Sequence, residues 1–128
     1  MKNDINTALL ALMLPSGILD YFDIVDFKQC NSGQYVYDKK LTIYLEEKNL
    51  VPEEYKNYKY KRSGFMEPRL INDCPIRSML VTLSVKRRRW DVEIDGQMKK
   101  VSRDWNIVAQ GTRMSEEYAA FLKEISRY

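Results

Sequence analysis

Residues Lys86, Arg87, Arg88 and Arg89 form an unbroken block of four cations, closed by Trp90 and preceded by the apolar run Met79 to Val85. A strand that leaves a core into like charge needs an anion beside it, and phosphate is the partner such a block fits. Residues 76–113 hold nine Lys and Arg against four acids, a net charge of +5, while the whole 128-residue chain carries only +3. The basicity is therefore concentrated in one stretch rather than spread over the protein. A solvated strand end is the plainer reading of the same block, and both readings stand at this point.

Other chemistry is poorly supplied. The chain has no histidine, which removes Ser-His and Cys-His nucleophiles and any His-containing metal site. Its two cysteines, Cys30 and Cys74, are far apart and lack CxxC spacing, so reduced cytoplasmic thiols are expected rather than a bridge or a zinc site. Asp20, Asp23 and Asp26 are spaced three apart on a strand-like run and do not point at one centre. No Gly-rich phosphate loop or nucleophile elbow is present. The expectation is a non-enzyme that carries no metal and no cofactor. The Leu9 to Leu14 run is far short of the ~20 residues that cross a bilayer, and no cleavage site makes it a leader. One domain over residues 1–128 is the organisation expected.

The elements that must position the basic block read as α+β: a mostly antiparallel sheet with a helix at each end. Asp4 is placed to cap a first helix bearing Ile5, Ala8, Leu9, Leu12 and Met13, which Pro15-Ser16-Gly17 stops. Tyr21 to Phe27 reads as a strand with a phase slip between Ile24 and Val25, which suits a bulge. A turn at Asn31-Ser32-Gly33 joins it to an alternating strand over Tyr35 to Glu46, with Leu41, Ile43 and Leu45 on one face. Residues 48–62 read as a loop with one proline-opened helical turn at Pro52-Glu53-Glu54, its tyrosines (Tyr55, Tyr58, Tyr60) serving as packing lids. Phe65 to Ile71 reads as a short strand interrupted by Pro68. Ser115 is placed to cap a last helix whose stripe is Tyr118, Phe121, Leu122 and Ile125.

Asp95-Gly96 is a strong hairpin signal, and it sets a register. Ile94 then faces Gln97, Asp91 faces Lys100, Trp90 faces Val101 and Arg88 faces Arg103. The last pair sets two cations opposite one another, which costs stability unless an anion lies between them. Trp90 and Trp105 read as apolar anchors of this hairpin. The strand period sorts Arg87, Arg89, Asp91, Glu93, Lys100 and Asp104 to one face, where opposite charges largely compensate.

Four short stretches in order carry a resemblance. They are Gly64-Phe65 with Ile71-Asn72-Asp73-Cys74-Pro75-Ile76-Arg77, Val85-Lys86-Arg87-Arg88-Arg89-Trp90, Arg103-Asp104-Trp105-Asn106, and Gly111-Thr112-Arg113-Met114-Ser115. With the opening Leu14-Pro15-Ser16-Gly17-Ile18-Leu19-Asp20-Tyr21-Phe22 and the strand end Tyr44-Leu45-Glu46-Glu47-Lys48-Asn49, the chain resembles the N-terminal region protein of a group of bacterial insertion-sequence transposases. The order of parts is also similar to the zinc-ribbon N-terminal region of a larger DDE transposase family. The sequence departs from that pattern in its hairpin, Asp91 to Arg103, which has no cysteines.

The resemblance implies a DNA-binding accessory domain whose catalytic DDE domain lies on a separate chain or reading frame. The partners implied are double-stranded DNA of the transposon ends and the catalytic transposase chain. The residues expected to meet nucleic acid are Lys86, Arg87, Arg88, Arg89, Lys99, Lys100, Arg103 and Arg113. Arg113 reads equally as a phosphate contact or a cap on a sheet edge, and Arg77 is similarly open. The other reading is a protein-interaction module, without DNA contact, that docks the catalytic chain or pairs with a second copy of itself.

Overall fold

The computed structural model describes residues 2–33, 37–103 and 115–125. In chain order the elements are helix α1 (Lys2–Met13), a short helix α2 (Ile18–Tyr21), strands β1 (Phe22–Asn31) and β2 (Lys39–Glu47), a 3-10 turn at Glu53–Tyr55, strands β3 (Tyr60–Phe65), β4 (Arg69–Ile76), β5 (Met79–Lys86), β6 (Arg88–Ile94) and β7 (Gln97–Ser102), and helix α3 (Glu116–Ile125). The class is α+β with strand predominating. Four strands make a first sheet in the order β1-β2-β5-β4, and three make a second in the order β3-β6-β7. All neighbours run antiparallel except β2 and β5, which are parallel.

Alternation builds the first sheet. Ile43, Leu45, Ile71, Val81, Leu83 and Val85 turn to one face, where Leu14, Ile18 and Phe22 close over them. The bulge in β1 falls between Ile24 and Asp26, where the phase of the sequence slips. The 3-10 turn follows Pro52, as the sequence predicts. Two expectations are corrected. The loop expected over 48–62 ends early, because Tyr60 already begins β3 and pairs with Val92. The strand expected over Phe65 to Ile71 is two strands in different sheets, with Pro68 in the break between them. A residue with no N–H to give a ladder suits that break.

The chain therefore changes sheets three times: after β2, after β3, and between β5 and β6 at Arg87. Two of these crossings touch, since Met66 N donates to Arg87 O at 2.7 Å. The cationic block lies across the last crossing, and the β2 end lies beside it. That placement governs everything about the arginines.

At the other end of the first sheet, Ser115 caps α3 as expected. Its Oγ accepts from Tyr118 N at 3.1 Å and donates to Asp73 Oδ1 at 2.8 Å, and its backbone N donates to Asn72 O at 2.8 Å. Ser115 is 1% exposed, so the cap doubles as the weld between α3 and β4. Glu117 Oε1 also accepts from Ser16 N at 2.8 Å, tying α3 to the segment before α2. At the N-terminus, α1 begins at Lys2, so Asp4 lies in the first turn rather than at the cap. Its apolar residues Ile5, Leu9 and Leu12 are exposed instead of packed.

Candidate nucleic-acid interface

The β6–β7 hairpin adopts the register its turn dictates. Asp95 and Gly96 both have positive φ (53° and 77°), the two-residue turn that matches strand twist. Ile94 pairs with Gln97, Asp91 with Lys100, Trp90 with Val101, and the ladder ends at Arg89 with Ser102. One step further, the backbone N–H of Arg88 and the guanidinium of Arg103 meet one anion, and it belongs to the protein itself. Glu47, 2% exposed at the end of β2, accepts from Arg88 N through Oε1 at 2.8 Å and stands 3.7 Å from Arg103 Nε through Oε2.

The rest of the cluster binds the same short stretch of chain. Arg88 Nε donates to Glu47 O at 3.1 Å, and its guanidinium lies 4.4 Å from the Phe65 ring centroid. Arg103 Nη2 donates to Leu50 O at 2.7 Å and its guanidinium lies 4.6 Å from the centre of the Tyr21 ring. Arg87 Nη2 donates to Arg103 O at 2.7 Å, and Trp90 Nε1 to Asn49 Oδ1 at 2.8 Å. Three side chains, those of Arg88, Arg103 and Trp90, thus clasp the 47–50 segment between the sheets, and Arg87 braces the backbone of Arg103. A carboxylate taken out of water needs this much compensation: two cations nearby and a backbone N–H in hand. Arginine suits the task, since its planar fork reaches carbonyls while its face stacks on a ring.

Arg87, Arg88 and Arg103 are accordingly committed to internal partners, whereas the sequence reading set them against phosphate. Lys86 is half-buried and lies 3.9 Å from Glu46. Arg89, Lys99 and Lys100 remain exposed. Arg89 faces Gly64 on β3 and Ser102 on β7, two residues with little side chain to obstruct it. Lys100 donates to Asp91 Oδ1 at 3.1 Å and to Ser63 Oγ at 2.7 Å. That hydrogen bond from Lys100 is the main reason the Asp91 carboxyl is held below its ordinary pKa, with Ser63 and the charge of Lys61 helping. Arg113, Asp104 and Trp105 lie outside the described residues. Arg77 sits in the β4–β5 turn at φ 51°, about 25 Å from the basic block by the length of β5, and does not join it.

Strand β3 adds two exposed cations that the sequence reading passed over, Lys61 and Arg62. Lys61 pairs with Asp91 and therefore shares a face with Arg89 and Lys100. The signal for this strand was present but faint: Tyr60 to Phe65 alternates only until Gly64 (φ 101°), where a register shift interrupts it. With β3 counted, the second sheet holds six cations (Lys61, Arg62, Arg88, Arg89, Lys99, Lys100) against two acids (Asp91, Glu93). The first sheet holds five of each.

No protein-family model, curated protein or solved structure matches this chain. Elsewhere on the surface, an open cavity of about 420 Å³ is lined by Lys40, Asn72, Asp73, Thr82 and Tyr118 among others. Its buried acid, Asp73, already accepts the Ser115 hydroxyl. Among the described residues, no three Cys, Asp or Glu side chains are grouped so that they could hold a metal ion.

Proposed function

We propose that this chain is a DNA-binding accessory region of an insertion-sequence transposase, working beside a catalytic DDE chain and performing no chemistry of its own. The observation that carries the DNA reading is the separation of charge between the sheets: six cations against two acids in the second, parity in the first. Phosphate attraction depends on such a local excess, not on the small net charge of the molecule. Lys61, Arg89 and Lys100 on one face of the second sheet, with Arg62 and Lys99 on its edge strands and facing the other way, are the contacts proposed. Arg87, Arg88 and Arg103 serve by holding the sheet that presents them. The transposase context rests on the ordered motifs of the sequence.

Affinity for a short duplex, measured by fluorescence anisotropy across salt concentrations, tests the reading. Neutralising about four phosphates gives a log–log salt slope near −3.6, and Arg89→Ala with Lys99→Ala flattens it by about 1.8. Affinity indifferent to salt and to those substitutions sinks the DNA reading. The alternative, docking of the catalytic chain without DNA contact, then takes its place, and it draws on the exposed apolar side of α1. Co-purification of the two chains in the absence of DNA distinguishes it.

A further inference from the structure

Helix α1 leaves most of its apolar surface bare. Ile5 (68% exposed), Leu9 (58%) and Leu12 (84%) follow i, i+4, i+7 spacing, so they form one stripe, with Met13 exposed beside it and Leu10 exposed round the helix from it. A helix of 12 residues is marginal in water on propensity alone and needs its apolar side packed. Within the chain its main neighbour is the short α2, and the core begins only at Leu14.

We propose that α1 is the contact surface of a homodimer in which the helices of two copies pack antiparallel, stripe against stripe. Area supports a second copy as the occupant. Ile5, Leu9, Leu12 and Met13 present on the order of 450 Å² of apolar surface, so a pair buries up to about 900 Å², the size of a weak, transient interface. The stripe is also complementary to itself. About a two-fold axis between Ala8 and Leu9, Ile5 faces the partner's Leu12 and Ala8 faces the partner's Leu9, so the small Ala8 makes room for Leu9 at the centre. The helix dipoles support the antiparallel sense, because antiparallel packing opposes them and parallel packing aligns them. The proposal does not depend on nucleic-acid binding.

Sedimentation equilibrium of the whole chain over about 5–200 μM covers the affinities expected of so small an interface. The mass should rise from that of one chain to that of two, and Leu9→Asp with Leu12→Asp should hold it at one throughout. At concentrations low enough to keep both chains monomeric, the melting curve of the doubly substituted chain should match the parent's, because neither residue belongs to the core. Orientation is read by cross-linking in a Cys30→Ser, Cys74→Ser background. Oxidising a mixture of the Ile5→Cys and Leu12→Cys chains should yield a disulfide heterodimer, and Ile5→Cys alone should not. A parent that stays monomeric at every concentration overturns the proposal. So does a dimer that survives both substitutions, or Ile5→Cys linking only to itself.

Discussion

Glu47 is a single buried carboxylate on which two sheets converge, and its chemistry explains why arginines so close in sequence differ in fate. The chain supplies an anion from residue 47, which holds the backbone N–H of Arg88 and the guanidinium of Arg103. Glu47→Ala leaves Arg88 N without its acceptor and the Arg103 guanidinium without the Glu47 counter-charge. Urea unfolding should show a loss of about 3–5 kcal/mol, the usual cost of breaking a buried pair from one side. Glu47→Gln keeps an acceptor for Arg88 N and should lose distinctly less; equal losses would mean charge matters little there. The thiols offer a second test at this scale. Burial, with the nearby charges of Asp73 and Glu117, raises the Cys74 pKa above its ordinary value. A raised thiol pKa means less thiolate at neutral pH, hence slower alkylation. Cys30 is exposed. Iodoacetamide at neutral pH should therefore modify Cys30 first, with Cys74 catching up as the pH is raised; the reverse order contradicts this environment.

Between elements, the decisive contacts are welds rather than broad packing. Ser115, one buried residue, joins α3 to β4: it bonds Asp73 and Asn72 on the strand and caps Tyr118 N on the helix. Ser115→Ala removes the cap on Tyr118 N and deprives Asp73 of its donor, while the backbone bond to Asn72 survives. The expected cost is about 2 kcal/mol, a cap plus part of a buried acceptor's penalty. Protease cleavage should then begin within α3, while amide protection in β5 stays as it was. Unchanged stability would show that α3 is held by its apolar stripe instead. The β6–β7 hairpin is joined to β2 in a comparable way, through Asn49 and the Trp90 indole, which is fully buried. A donor satisfied at the edge of a core lets a tryptophan fill volume without an orphaned N–H.

For the whole molecule, the clasp and the charged surface are separate things that happen to share a run of four residues. Adjacent arginines should therefore give opposite phenotypes. Arg88→Ala loses the bond to Glu47 O and the Phe65 stack, and should lower stability by about 1–3 kcal/mol. Arg89→Ala removes an exposed side chain among small neighbours, and should leave the unfolding midpoint where it was while weakening DNA binding. If instead Arg88→Ala weakens binding with no loss of stability, the internal role assigned to Arg88 is wrong.

How much of this was legible in the sequence depended on range. Asp95-Gly96 determined its own turn, and with it every pair from Ile94–Gln97 to Arg89–Ser102, because turn chemistry and the strand period act on neighbours. The β1 bulge and the Ser115 cap were readable for the same reason. The sequence could even state that Arg88 and Arg103 required an anion. It could not say which one, nor that Tyr60 to Phe65 would pair with β6, nor that α1 would stay uncovered. Glu47 lies 41 residues before Arg88, and they meet only because the chain changes sheets three times between β2 and β6. Those crossings are chosen by how two apolar faces close against their neighbours, a property of the assembled fold that no local pattern of residues contains. Tertiary structure alone decided which charges were spent inside and which were left for solvent.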